Sequence, residues 1–134
     1  MNILSALSRL LLAGLLVSVL LSCEARPEPK MEDGFLVCSM ADILQNPAGF
    51  DQKKVKVPGV FVYNADNAAI RRNWPNSSDQ IGLDFSALVG ELGPDVLGAL
   101  KEEKIVISGI YYIDRKGPQN QYQGTIKCLG IGGY

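Results

Sequence analysis

Histidine is missing from this chain of 134 residues. With it go the commonest protein ligand for metals and the side chain that most often moves protons near neutral pH. Basic residues are not in surplus: 13 Lys and Arg stand against 14 Asp and Glu. Affinity for phosphate backbones comes from such a surplus, so nucleic acid is not expected as a partner, although a local basic patch stays open. Cysteine is scarce, at three, with no C-x-x-C spacing, which disfavours a metal site or a catalytic thiol pair. No carboxylate pair recommends itself as acid and base, because Asp84 and Glu91 fall on a strand and a helix with nothing to join them. The ending GIGGY follows a strand without opening a helix, which excludes a phosphate cradle. No catalytic residue, cofactor or metal is therefore expected, and the length leaves room for one domain.

What is present begins with the opening stretch MNILSALSRLLLAGLLVSVLLS, which carries one charge, Arg9, before an uncharged run from Leu10 to Ser22. That run has the size of a signal-peptide core, and it falls short of the roughly 18–20 apolar residues of a membrane span. Where it ends stand Leu20, Leu21, Ser22 and Cys23. This junction resembles the bacterial lipobox, with Leu three positions before the Cys and a small residue directly before it. Leu21 departs from the pattern, which more often has Ala, Ser or Thr there. The alternatives are an uncleaved anchor and an ordinary secretory signal that happens to precede a cysteine.

The resemblance implies cleavage after residue 22, a diacylglyceryl group on Cys23 and usually a third, amide-linked chain. Two or more acyl chains hold a protein on a bilayer where one does not, each buried methylene contributing about 0.8 kcal/mol. The implied location is the bacterial cell envelope. Glu24 stands where an Asp commonly retains lipoproteins at an inner membrane, which favours the periplasmic side of an outer one.

An oxidising compartment leaves Cys38 and Cys128 as an even pair. A disulfide between them would close a loop of about 90 residues and contribute roughly 4–5 kcal/mol in the chain-entropy picture. Two buried free thiols are the alternative.

Residues 23–34 contain two Pro, several charges and few large apolar groups, and read as a lipidated Cys followed by a flexible tether. The domain is expected over 35–134. Phe35 to Cys38 is a short apolar run, and Ser39 with Asp42 has the spacing of a helix start, the helix stopping before Asn46-Pro47. Residues 54–63, KVKVPGVFVY, and 104–113, KIVISGIYYI, are nearly the same strand written twice. Their alternation places Val55, Val57, Gly59 and Phe61, and Ile105, Ile107 and Gly109, on one face each. A mid-strand Gly suits a bend or bulge, so both read as curved strands of a closed barrel. Short strands are expected near 68–72 and 80–85, helical turns over 86–92 and 94–103, a loop over 114–121 and a last strand over 122–129. The tail 130–134 is too Gly-rich to assign.

Three strands, a helix and two strands, with curved first and fourth members, resembles the oligonucleotide/oligosaccharide-binding (OB) fold. The stretch NPAGFDQKKVKVPG is similar to the start of OB-type domains in uncharacterised bacterial lipoproteins. The implied fold is mainly β with helices, a small five-stranded OB-like Greek-key barrel with a helix between strands 3 and 4. OB domains bind on the face of their second and third strands, flanked by loops. Carried onto this chain, that surface would hold Arg71, Arg72, Trp74, Arg115, Lys116 and Tyr122, cations interleaved with aromatics. The alternative, which the residues favour, is a set of solvated loop charges with Trp74 packed as a loop anchor. The expected function is a membrane-anchored, non-enzymatic binding or scaffold domain with an envelope protein or saccharide as partner. The alternative is a structural subunit of an envelope complex.

Overall fold

The computed structural model of the protein describes residues 28–64, 67–72, 79–88 and 90–133. Cys23 and Trp74 lie outside the described residues. The architecture is mainly β, one seven-stranded sheet with few helices. In chain order its elements are β1 (Met31–Glu32), β2 (Phe35–Val37), α1 (Met40–Gln45), α2 (Pro47–Phe50), β3 (Lys54–Asn64) and β4 (Asn67–Arg71). Then follow β5 (Gln80–Asp84), a 3-10 turn at Ser86–Leu88, α3 (Pro94–Leu100), β6 (Lys104–Tyr112), a turn at Pro118–Asn120 and β7 (Thr125–Gly133).

The strand order is β1-β2-β3-β4-β5-β7-β6, and β6 pairs again with β3, so β3 to β7 close into a ring of five. Within it β5 and β7 run parallel, and the other pairs are antiparallel. Strand β3 makes the closure possible by serving two neighbours. Residues Lys54 to Val60 pair with β6, and Val60 to Asn64 pair with β4, so Val60 faces Lys104 on one side and Arg71 on the other. A strand that changes partner midway must bend, and the change falls at Val60, directly after Pro58-Gly59, whose missing ladder donor and missing Cβ suit a bend. A Cβ on Gly59 would stand 2.8 Å from Ile70 Cβ, and one on Gly109 would collide with the Lys127 carbonyl oxygen. The twin stretches are therefore adjoining antiparallel strands, each with its Gly where another strand presses closest.

The alternation read from the sequence fixes the interior. Val55, Val57, Phe61, Ile105, Ile107 and Tyr111 are buried, joined by Ile70, Ile81, Leu83 and Ile126 from the other ring strands. The fully buried helical side chains come from α1, whose Met40 and Ile43 enter the core. Its start is the expected one: Ser39 Oγ accepts from the Asp42 amide at 3.1 Å and Asp42 Oδ2 accepts from the Ser39 amide at 2.9 Å, a capping box. Helix α3 sits between the third and fourth ring strands and is shorter than expected. Its Leu97 and Leu100 pack on the core while Val96 is exposed.

Several expectations change. Strand β1 begins at Met31, within the stretch read as tether, and a Lys56–Glu32 pair at 2.7 Å ties it to β3. The last strand is displaced: it spans Thr125–Gly133, so the unassigned Gly-rich tail pairs with β6. Glycine disfavours strands in isolation, but here β6 supplies the partner, and a register shift near Ser108/Gly109 accommodates the extra residue Leu129. The expected disulfide is not formed. Cys38 and Cys128 are both buried free thiols, entering the core from the turn after β2 and from β7, with β6 between β7 and β3. Burial, seconded by nearby carboxylates, pushes them up to about 11 and about 12.

Candidate functional site

The outward row crossing the ring runs Tyr112–Thr125–Gly82–Ala69–Val62, one residue from each strand in register. The loop between β6 and β7 folds back across this row. Tyr122 packs its ring on Gly82, where a Cβ would stand 2.5 Å away, and Gly117 closes on the same ring. Thr125 Oγ1 donates to the Arg115 carbonyl at 2.6 Å, and the Tyr111 hydroxyl donates to the Gln123 carbonyl at 2.6 Å. The Gln123 amide donates to Gln80 O and the Gly82 amide to Gly124 O, both at 3.0 Å. The loop is thus a strap, hydrogen-bonded to β5 and β7 and seated on residues small enough to admit a ring.

The sequence-predicted residues divide around this strap. Arg115 lies on it, its guanidinium 3.9 Å from the centroid of Tyr112, a cation–π contact. Lys116 is exposed beside it and lines a shallow hollow with Ile113, Asn120 and Gln123. Tyr122 is packed beneath, 8% exposed, and burial pushes its phenol above the ordinary range. Arg72 approaches through a polar line: its Nε is 3.6 Å from Asp79 Oδ2, and Gln123 Nε2 donates to Asp79 Oδ1 at 3.3 Å. Arg71 turns elsewhere, onto Glu102 at 2.7 Å. Arg72, Arg115, Lys116 and Tyr122 are brought to one region, Arg71 is engaged beside it, and Trp74 lies outside the described residues.

Sequence reasoning missed the row beside it. Lys54, Ile110, Lys127 and Asp84 stand in register across four strands, next to Tyr112 and Arg115. Burial works against ionisation of Asp84, but the Ser86 backbone and side chain and the charges of Arg115 and Lys127 outweigh it and hold the carboxyl below its usual range. Alternation in Thr125-Ile126-Lys127-Cys128 puts Lys127 outward, but its neighbours belong to strands 17 to 73 positions away in sequence, so only pairing reveals the group. Chemically the region offers cations, an aromatic face and one stabilised carboxylate. Among the described residues no group of His, Cys, Asp and Glu is arranged to hold a metal.

No protein-family model matches the chain, and no curated protein matches it. Among solved structures it is similar to the Stn1-Ten1 complex of S. pombe, at 14% identity and a TM-score of 0.49, covering 78% of this chain and 81% of that one. It is also similar to asparaginyl-tRNA synthetase from Pyrococcus horikoshii, at 13% identity and a TM-score of 0.43, covering 70% of this chain and 22% of that one. These likenesses reach the fold and no further.

One expectation is corrected, the exclusion of nucleic acid as a partner: the solved structures similar to this chain include the Stn1-Ten1 complex and an asparaginyl-tRNA synthetase. Net charge was too coarse a measure, because Lys54 and Lys127 flank Ile110 and Arg115 stands over the Tyr112 ring, on a chain whose total charge is near zero.

Proposed function

We propose that this chain is a lipid-anchored, non-enzymatic binding or scaffold protein of the bacterial cell envelope, built on a small OB-like barrel. The observation that carries the reading is the closed circuit β3-β4-β5-β7-β6-β3, with α3 inserted between its third and fourth strands. That is the connectivity of an OB barrel, a scaffold that presents its outer face and loops to ligands. Supporting the address is Cys23, placed where the N-terminal apolar run ends. From Cys23 to Met31, where β1 starts, is eight residues, so a lipid there would hold the domain within about 29 Å of the bilayer.

A second reading, a structural subunit of an envelope complex, is favoured by the apolar side chains of Met31 and Leu129, 60% and 40% exposed.

The address is tested by expressing the full chain in a bacterium supplied with labelled palmitate. Label should enter the parent protein and be absent from Cys23→Ala, and a parent that stays unlabelled would overturn the anchor. The binding role is tested separately, by thermal melting of the full chain against glycan and single-stranded oligonucleotide panels. A ligand that raises the melting temperature, with the gain lost in Arg115→Ala, supports binding at the strap. No shift together with stoichiometric co-purification of a protein would favour the structural subunit.

A further inference from the structure

Where β3 changes partner, the strands on either side diverge. Val60 is the last residue to hold both neighbours, and beyond it Arg72 and Lys104 lead away from each other. The first turn of α1 spans the gap and leaves a cleft of about 200 Å³. Its floor is apolar, formed by Met40, Pro58 and Val60, and Ser39, Arg72 and Lys104 stand on its rim. Among the described residues that line it there are two cations and no acid.

Arg72 gives the cleft its chemical character. Although 40% of its side chain is exposed, its Nε is buried and has no hydrogen-bond partner. The Asp79 carboxylate stands at 3.6 Å, close enough to attract but too far to accept. A buried donor without an acceptor is costly, and charged donors are the costliest. Ser39 Oγ already accepts from the Asp42 amide, which leaves its proton for an incoming oxygen.

We propose that this cleft binds a small amphipathic carboxylate, its oxygens at Arg72 and Ser39 and its hydrocarbon or aryl body on Met40, Pro58 and Val60. A bare oxyanion would leave the apolar floor wet, whereas a neutral apolar molecule would bring no charge to the two cations on the rim. The volume is below the roughly 300–1,000 Å³ of drug-sized sites, so the ligand is of fragment size. The cleft shares no lining residue with the hollow beside the strap and does not depend on a lipid at Cys23.

Benzoate, benzamide and inorganic phosphate are the probes, titrated into the full-length, 15N-labelled chain with amide shifts as the readout. Benzoate should give saturable, millimolar shifts at Met40, Ala41 and Val60. Benzamide and phosphate should each bind at least about tenfold more weakly, and Arg72→Gln should weaken benzoate about tenfold, the loss of one charge-assisted contact. Benzamide or phosphate binding as well as benzoate, Arg72→Gln binding benzoate undiminished, or no saturable shift at these amides would each overturn the proposal. Should the amide spectrum of Arg72→Gln depart from the parent fold, the strength of benzoate against benzamide and phosphate in the parent chain decides.

Discussion

Adding one methyl group to Gly109 tests the close approach of β6 and β7 most directly. A Cβ there would collide with the Lys127 carbonyl oxygen and lie 2.7 Å from Ile126 Cγ2 and 2.9 Å from the Lys127 carbonyl carbon. Two of those three neighbours are backbone, which cannot rotate aside as a side chain does. Relief requires β7 to withdraw from β6 where Gly109 pairs with Cys128, beside the bulge. Overpacking alone costs about 1–3 kcal/mol, and two strained ladder hydrogen bonds add roughly 1 kcal/mol each, so Gly109→Ala should lose about 3–5 kcal/mol. For a domain of this size that lowers Tm by at least about 12 °C. Gly59→Ala, whose new methyl meets the Ile70 side chain at 2.8 Å, should cost less, about 1–3 kcal/mol. Gly98 is the control: it sits in α3 with nothing within 4 Å, so alanine there should stabilise by about 0.5–1 kcal/mol. Urea unfolding of the full chain measures all three. A Gly109→Ala protein within about 0.5 kcal/mol of the parent, with Lys127 and Cys128 amide shifts unchanged, would refute the ring's geometry.

Two other predictions follow from the thiols and the strap. The Cys38 and Cys128 thiols rise from 9.0 to about 11 and about 12 in the fold, so the folded chain keeps protons that the unfolded chain releases. Their contribution is complete below the unfolded value and declines as pH rises from 9.0 through the folded values, so the urea midpoint should fall between about pH 8 and about pH 10. Cys128→Ala should flatten that fall, and an unaltered pH slope in the variant would rule out the thiol as its source. Thr125→Val removes the donor to the Arg115 carbonyl, costing about 1 kcal/mol. It should also speed hydrogen exchange at the Gln123 amide, which donates to Gln80. Undiminished protection there would mean that Tyr122 alone seats the strap.

How far the residues spoke for themselves differs from element to element. The twin stretches announced two curved strands because alternation and a central Gly are local signals, and the capping box at Ser39 and Asp42 was legible for the same reason. The length of the last strand was not, because Gly130, Gly132 and Gly133 have no strand preference of their own and join a strand only against Ile105 to Ser108. Four of the six proposed surface residues gather near the strap. Yet Tyr122, which looked like a ligand-facing aromatic, is packed on Gly82, because an exposed ring and a packed ring look identical in sequence.

Which residues face inward on the twin strands and where α1 starts were readable along the chain, because both are set within a few positions, and composition alone removes histidine chemistry. The tertiary structure alone decided that β3 serves two partners, that Cys38 and Cys128 stay unbridged, and that Arg115, Lys127 and Asp84 share one face. It also decided that Arg72 buries a nitrogen without an acceptor at the bend. The physical reason is the same in each case: pairing joins residues tens of positions apart, and which pairs form depends on how the whole ring closes.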